Sequence, residues 1–286
     1  MFTFGVDSFI WTEVFEEKDL WIIPKAKELG FEVLDLAIAH PERFPLAAVL
    51  EELKKVDIEV VTTTTLDLQS NLISSDPAVR RVGVDRLKKL IDINNSLDSR
   101  ICGGVNYAAW GYLTKRPRTG QEWDWSVTAM REVARYAKDT GSVVICVEPV
   151  NRFETHFINT AEDGVKYCRD VGTGNVRVHL DTFHMNIEET DFAQAVRTCG
   201  KEYLGYVHTC ENNRGIPGTG HVPWKEFFTA LDKLGFAGPL VIESFDPSFE
   251  ELAGNCAIGR HFAESGEILA VEGIRNLRRI AASIGR

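Results

Sequence analysis

Ser142-Val-Val-Ile-Cys-Val147 is an unbroken apolar, largely β-branched run that leads straight into a carboxylate, Glu148. The arrangement recurs three times toward the C-terminus. Val176-Arg-Val-His-Leu180 leads into Asp181, Tyr203-Leu-Gly-Tyr-Val207 into His208, and Pro239-Leu-Val-Ile242 into Glu243. Short apolar runs of this kind read as strands buried on both faces. An ionisable residue directly after such a run is costly to bury alone. One aspartate in that position is often only a helix cap, but four ligating residues at equivalent positions argue for a shared partner. Three carboxylates and one imidazole suit Mn2+, Mg2+ or Co2+ better than a structural zinc. The fold that brings consecutive strand ends to one rim is a parallel barrel.

Working outward from these runs, strand and helix patterns alternate along the whole chain. Strands are expected at Phe2 to Asp7, Phe31 to Ile38, Ile58 to Thr65 and Ser99 to Val105, then at Val143 to Glu148, Val176 to Asp181, Tyr203 to Thr209 and Leu240 to Glu243. Helices are expected at Leu20 to Leu29, Leu46 to Val56, Asp76 to Ile91, Ser126 to Asp139, Ala161 to Val171, Phe192 to Cys199 and Pro223 to Leu234, with one or two closing helices in Phe249 to Ile284. Eight βα units without a linker or composition break predict an α/β protein, a single (β/α)8 TIM barrel over residues 1–286. A doubly wound sheet also alternates, but it does not readily focus four successive strand ends on one point.

Composition narrows the function. The chain has 286 residues, 44% hydrophobic and 26% charged, with a formal net charge of −10. That acidity argues against nucleic-acid or membrane-surface partners, which want a basic field. The basic run Arg275-Asn-Leu-Arg-Arg279 reads as solvated helix surface. Six cysteines without a CxxC spacing read as reduced small hydrophobes. The first residues, Met1-Phe-Thr-Phe-Gly5, lack the basic and apolar regions of a signal peptide. No stretch approaches the roughly 20 apolar residues of a membrane span. A cytoplasmic protein is expected.

Several residues just beyond the strand ends are suited to a polar small molecule. Glu154 can accept hydrogen bonds from substrate hydroxyls, the competing reading being a surface ion pair with Arg152. His184, three residues past Asp181, can donate to a substrate oxygen or make a simple loop hydrogen bond. His179 shares the parity of Asp181 but lies deeper, as a core or supporting histidine. Glu211-Asn-Asn-Arg214-Gly-Ile-Pro-Gly218-Thr-Gly220 reads as a rim loop that aims Arg214 inward. Its glycines also admit a phosphate cradle, but no Lys-Ser/Thr follows them. Tyr107, Trp110 and Tyr112 after strand four, and Phe9 and Trp11 after strand one, are candidates to wall the cavity, because flat sugar faces pack well on aromatics.

The segments Val147-Glu-Pro-Val-Asn-Arg-Phe-Glu154, His179-Leu-Asp-Thr-Phe-His-Met-Asn-Ile-Glu-Glu189, His208 with Glu211 to Gly218, and Val241-Ile-Glu-Ser-Phe245 resemble the ketose 3-epimerases, the D-tagatose, D-allulose and L-ribulose 3-epimerase group of the sugar isomerase/epimerase barrels. Ala109-Trp110-Gly111 and the helix beginning Ser75-Asp-Pro-Ala-Val are similar too. The resemblance spans nearly the whole chain. It implies that Glu148, Asp181, His208 and Glu243 hold one divalent ion, Mn2+ foremost with Co2+ or Mg2+ as alternatives. It further implies that Glu148 and Glu243 are the catalytic proton-transfer pair, that Glu154, His184 and Arg214 contact the sugar, and that the protein is a homodimer or homotetramer. The chain departs from the family at Pro149, Thr62-Thr-Thr-Thr65 and Asn106-Tyr-Ala108, where the distal end of a sugar would lie.

The chemistry asks for such a set. The C3 proton of a ketose lies beside the C2 carbonyl, and a divalent ion acting as Lewis acid stabilises the cis-enediolate formed when it leaves. Inversion needs acid/base groups on both faces of the substrate, and strands five and eight are far enough apart on the rim to supply them, one carboxylate ionised and the other protonated at rest. The expected activity is metal-dependent C3 epimerisation of a free ketose. The nearest alternative is an aldose–ketose isomerase or other enediolate chemistry, including elimination, on a sugar derivative. An abasic-site endonuclease would want more histidine ligands and a basic face. A sugar-binding module would need no metal.

Overall fold

Val33-Leu-Asp-Leu-Ala37 and its seven counterparts form a closed parallel barrel in the computed structural model, which describes residues 2–284. The strands are β1 Thr3–Asp7, β2 Val33–Ala37, β3 Glu59–Leu66, β4 Ile101–Ala109, β5 Val144–Val147, β6 Val176–Asp181, β7 Leu204–His208 and β8 Pro239–Ile242. They follow one another in chain order around the barrel, and Phe4 of β1 pairs with Leu240 of β8 to close it. The strand interiors are buried on both faces, as a continuous apolar run requires.

The barrel interior is filled by Val33, Val61, Cys146, Tyr206 and Val241. Space there is tight enough to dictate glycine at position 103, where a Cβ would stand 2.9 Å from the Tyr206 ring and 3.2 Å from His179 Nδ1. The larger apolar layer lies between strands and helices, with Ile22, Leu34, Leu90 and Phe227 all inaccessible to solvent. Each such side chain contributes about 1.5–3 kcal/mol by leaving water.

The helices are α1 Ile22–Glu28, α2 Leu46–Leu53, α3 Pro77–Ser96, α4 Gly120–Thr140, α5 Ala161–Val171, α6 Thr182–Glu188, α7 Phe192–Tyr203, α8 Trp224–Leu234, α9 Glu250–Asn255 and α10 Gly266–Ala281. Their caps explain most boundaries. Asp76 accepts from Ala78 N–H with Pro77 at the first helical position, and Thr160 accepts from Asp163 N–H at the start of α5. Helix α4 begins six residues earlier than its apolar periodicity suggests, because Thr119 and Glu122 form a reciprocal capping box. A second correction concerns the segment after β6: α6 occupies what reads from sequence as a rim loop. Strand β4 also runs further, to Ala109, with a register irregularity between Thr65–Val105 and Leu66–Ala109 pairing.

Candidate active site

The four strand-end residues are brought to one rim. Glu148, Asp181, His208 and Glu243 are all buried, at 7%, 1%, 1% and 8% exposure, so none is a solvated surface charge. Ligand atoms of Asp181, His208 and Glu243 lie within 4.8 Å of one another, together with Cys210. Glu148 joins from the other side, in one group with Asp181 and His184 and another with His179 and His208.

Asp181 serves two purposes. One carboxylate oxygen accepts from Phe183 N–H at 2.7 Å and caps α6, while the other faces the site. The helix-cap reading of this residue is therefore correct and incomplete. Arg214 fills the space between the carboxylates, its Nη1 donating to Asp181 Oδ2 at 2.8 Å and to Glu243 Oε2 at 2.5 Å. Its guanidinium is sandwiched between the rings of Phe183 and Phe245 at 4.1 and 4.9 Å. The residue sits in left-handed backbone conformation, φ 62°, a strain for a non-glycine residue that the loop must hold. Glu211 holds it, accepting from the N–H groups of Asn212, Gly218 and Val222 and from Trp224 Nε1. Those amides are committed to a carboxylate and are not free to cradle a phosphate.

His208 brings an unpartnered nitrogen to the site. Its Nε2 faces Asp35 at 3.2 Å, and its buried Nδ1 has no hydrogen-bond partner although Glu243 Oε2 lies 3.5 Å away. A buried, unpartnered imidazole nitrogen set beside buried carboxylates fits a cation between them. The donor set therefore suits a divalent metal.

The two glutamates differ in charge preference. Burial pushes Glu148 well above the ordinary carboxylate range, His208 opposes this, and Glu243 and Asp181 add to it. Burial also pushes Glu243 upward, but Arg214 and His208 overcome it and hold that carboxyl at about 2.

Among the expected substrate contacts, His184, Glu154, Arg214 and Trp110 all line a rim cavity of about 430 Å3 that also contains Glu148 and Glu243. Asn151 N–H donates to His184 Nδ1 at 3.1 Å, and Arg214 Nη2 stands 3.2 Å from Nε2, so both ring nitrogens face donors. Burial lowers the His184 pKa and favours a neutral ring. Glu154 does not pair with Arg152, which instead grips Glu188 at 2.8 Å. Glu154 accepts from Trp110 Nε1 at 2.7 Å and from Asn151 at 2.8 Å, fixing the indole as a wall.

The other aromatics divide. Phe9 lines the cavity, whereas Tyr107 is wholly buried, donating to the Glu148 carbonyl at 2.8 Å and packing on Phe157. Tyr112 packs against His156 and Trp11 against Trp21. His179 is buried beneath the site between Tyr206 and His208, as strand parity predicts. Sequence reasoning missed Asp35, Asn151, Glu211 and Cys210. A charged residue inside the apolar run Val33-Leu-Asp-Leu-Ala37 was the available signal for the first. All six cysteines are free thiols, five of them buried. No helix among the described residues is long and apolar enough to cross a membrane.

Comparison with known proteins agrees with this geometry. The family described as xylose isomerase-like TIM barrel matches residues 23–280. The chain is 36% identical over 272 residues to the D-psicose 3-epimerase of Ruminiclostridium cellulolyticum, covering 92% of this chain and 90% of that protein. It is 33% identical over 270 residues to the L-ribulose 3-epimerase of Mesorhizobium japonicum, covering 93% and 90% respectively. The crystal structure of D-allulose 3-epimerase from Methylomonas sp. in complex with D-allulose superposes with a TM-score of 0.92 at 30% identity, covering 97% of this chain and 96% of that one.

Proposed function

The chain belongs to the ketose 3-epimerases of the xylose isomerase-like TIM barrels, and from that premise we propose that it epimerises a free ketose at C3 with one divalent cation held by Glu148, Asp181, His208 and Glu243. The observation that supports this reading is the buried group of Asp181, His208 and Glu243, with His208 Nδ1 unpartnered in it and Glu148 within reach of Asp181 in one group and of His208 in another. Mn2+ is the foremost ion, with Co2+ and Mg2+ as alternatives. When bound, the cation supplies Lewis acidity that offsets the negative charge building on the ketose oxygens as the C3 proton leaves.

The chain's own residues do the rest. Glu148, just after β5, and Glu243, just after β8, stand on different sides of the rim, so one removes the C3 proton and the other delivers one to the opposite face of a cis-enediolate. Their contrasting charge preferences favour one ionised and one protonated carboxyl. His184 faces the substrate oxygens from the cavity wall, Arg214 supplies a fixed positive charge, and Glu154 accepts from a hydroxyl. Trp110 closes one wall and helps exclude water. A homodimer or homotetramer is the assembly that goes with this reading, and sedimentation of the purified protein tests it.

The deciding experiment supplies free ketopentoses and ketohexoses to the Mn2+-loaded protein and resolves the products by chromatography. C3 epimers are expected. Aldose products would show isomerisation instead, and full turnover after exhaustive chelation would remove the metal from the mechanism.

A further inference from the structure

We propose that Cys210 is a further ligand at the cation site and biases it toward thiophilic ions such as Co2+ and Cd2+ over Mn2+. The inference rests on the cation reading given above.

Cys210 lies two residues beyond His208, on the turn that leaves β7. Its sulfur is within 4.8 Å of ligand atoms from Asp181, His208 and Glu243, all of them buried, so it belongs to the same constellation as three of the four strand-end donors. The donors also agree on a centre. Arg214 Nη1 lies 2.9 Å from Cys210 Sγ, 2.8 Å from Asp181 Oδ2 and 2.5 Å from Glu243 Oε2. Two carboxylate oxygens and the sulfur thus meet at a centre that the Arg214 guanidinium holds and that a cation takes by displacing it. Independently, the unpartnered Nδ1 of His208, a residue only 1% exposed, belongs to this same group.

The cysteine backbone is pinned where it stands. Thr182 Oγ1 donates to the Cys210 carbonyl at 2.6 Å and accepts from its N–H at 2.8 Å. Thr182 is the residue after Asp181, so the clamp ties the two donors together. A buried thiol with a fixed backbone and oxygen donors around it is placed as a ligand is placed. The competing role, a small filler that accepts from Arg214 and donates weakly to Glu243 at 4.0 Å, leaves the buried Nδ1 of His208 without a partner. Sulfur is a soft donor, and adding one to a carboxylate–imidazole set raises affinity for Co2+ or Cd2+ more than for Mn2+. The thiol proton is lost to solvent as the ion binds.

The test is spectroscopic and does not depend on turnover. Metal-free full-length protein is titrated with Co2+, and the near-ultraviolet spectrum is followed for a sulfur-to-cobalt charge-transfer band saturating at one ion per chain. The band is expected in the native protein and absent from Cys210→Ser. Competition titrations should show the Cd2+ to Mn2+ affinity ratio falling on the order of tenfold in that variant, as a hard oxygen replaces a soft sulfur. Cobalt bound without the band in the native protein overturns the inference and leaves the cation reading standing. So does a band that Cys210→Ser retains, or an unchanged affinity ratio. Failure to bind any Co2+ or Mn2+ overturns the cation reading and this inference with it.

Discussion

Asp35 holds the His208 imidazole from behind, with its Oδ2 3.2 Å from Nε2, so that Nδ1 faces the carboxylates at the barrel mouth. Asp35 is fully buried on β2, nearly opposite β7 in chain order, and also accepts from Tyr206 OH and from Thr63 Oγ1 at 3.1 Å. The effect is to fix both tautomer and ring orientation, since a proton held on Nε2 leaves the Nδ1 lone pair free.

That relationship predicts the behaviour of Asp35→Asn. The amide keeps the shape and loses the charge that holds the Nε2 proton. Metal affinity should fall by about 10–100-fold, the usual effect of removing such a supporting carboxylate. Chelator competition measures it, alongside circular dichroism to establish that the barrel is intact. A folded variant with native affinity would show that Asp35 has no part in orienting the ligand.

Catalysis should be lost in Glu148→Gln and in Glu243→Gln. Each change removes a proton carrier, worth roughly 10²–10⁴-fold in rate. Because either glutamate also faces the proposed cation, occupancy must be measured in the same sample by elemental analysis. Solvent exchange at C3 near the native rate in a metal-replete variant would exclude that glutamate as an acid/base group.

How much of this was readable beforehand follows from periodicity. The barrel and its four C-terminal strand ends show in the sequence because a strand buried on both faces leaves an apolar run, and a ligand at its end interrupts it sharply. Asp181 is legible as ligand or cap, and only the folded structure shows that its two oxygens divide, one capping α6 and the other accepting from Arg214. Asp35 was missed because it interrupts its run in the middle, where the same burial-cost argument applies but points to no rim. The start of α4 was missed because Thr119 and Glu122 lie ahead of the amphipathic stretch. Cys210 looked like any other small apolar residue, since nothing in its spacing reveals that the turn after β7 folds back toward Asp181.

A surface cluster between α3 and α4 gives a pH-dependent prediction. Glu132 is held down at about 2 by hydrogen bonds from Arg81 and Lys88, which outweigh a modest burial penalty. A carboxyl depressed in the folded state contributes stability above its unfolded pKa and loses it as pH falls through the folded value. The native protein should therefore melt higher than Glu132→Gln near neutral pH, and the gap should narrow from about pH 4.5 down to about 2. The glutamate is 40% exposed, so the gap is small and shrinks with added salt. Melting temperatures that differ equally at pH 7 and pH 2 would contradict this assignment.

The final prediction concerns the substrate's far end, which should carry no phosphate. The cavity is lined by Glu13, Asp67, Glu148, Glu154, Glu243 and Glu251, against two guanidiniums, Arg86 and Arg214. Arg86 is already paired with Asp67 at 2.7 Å and with the Ala39 carbonyl, and Arg214 is taken up by Asp181 and Glu243. Backbone donors do not make up the deficit. Three N–H groups of the glycine-rich loop are bonded to Glu211, and α9 opens with Glu250 and Glu251, a first turn that repels an anion. A phosphate dianion there would meet like charge, which costs several kcal/mol. Free ketoses should then exceed their terminal phosphates in kcat/KM by on the order of a hundredfold or more. In D2O, mass spectrometry or NMR should find deuterium at C3 of both epimers, because the proton exchanges through glutamates that equilibrate with solvent. Preference for a phosphorylated sugar would move the recognition chemistry to a part of the rim not identified by these residues. Epimerisation without label at C3 would require a mechanism in which Glu148 and Glu243 do not exchange protons at that carbon.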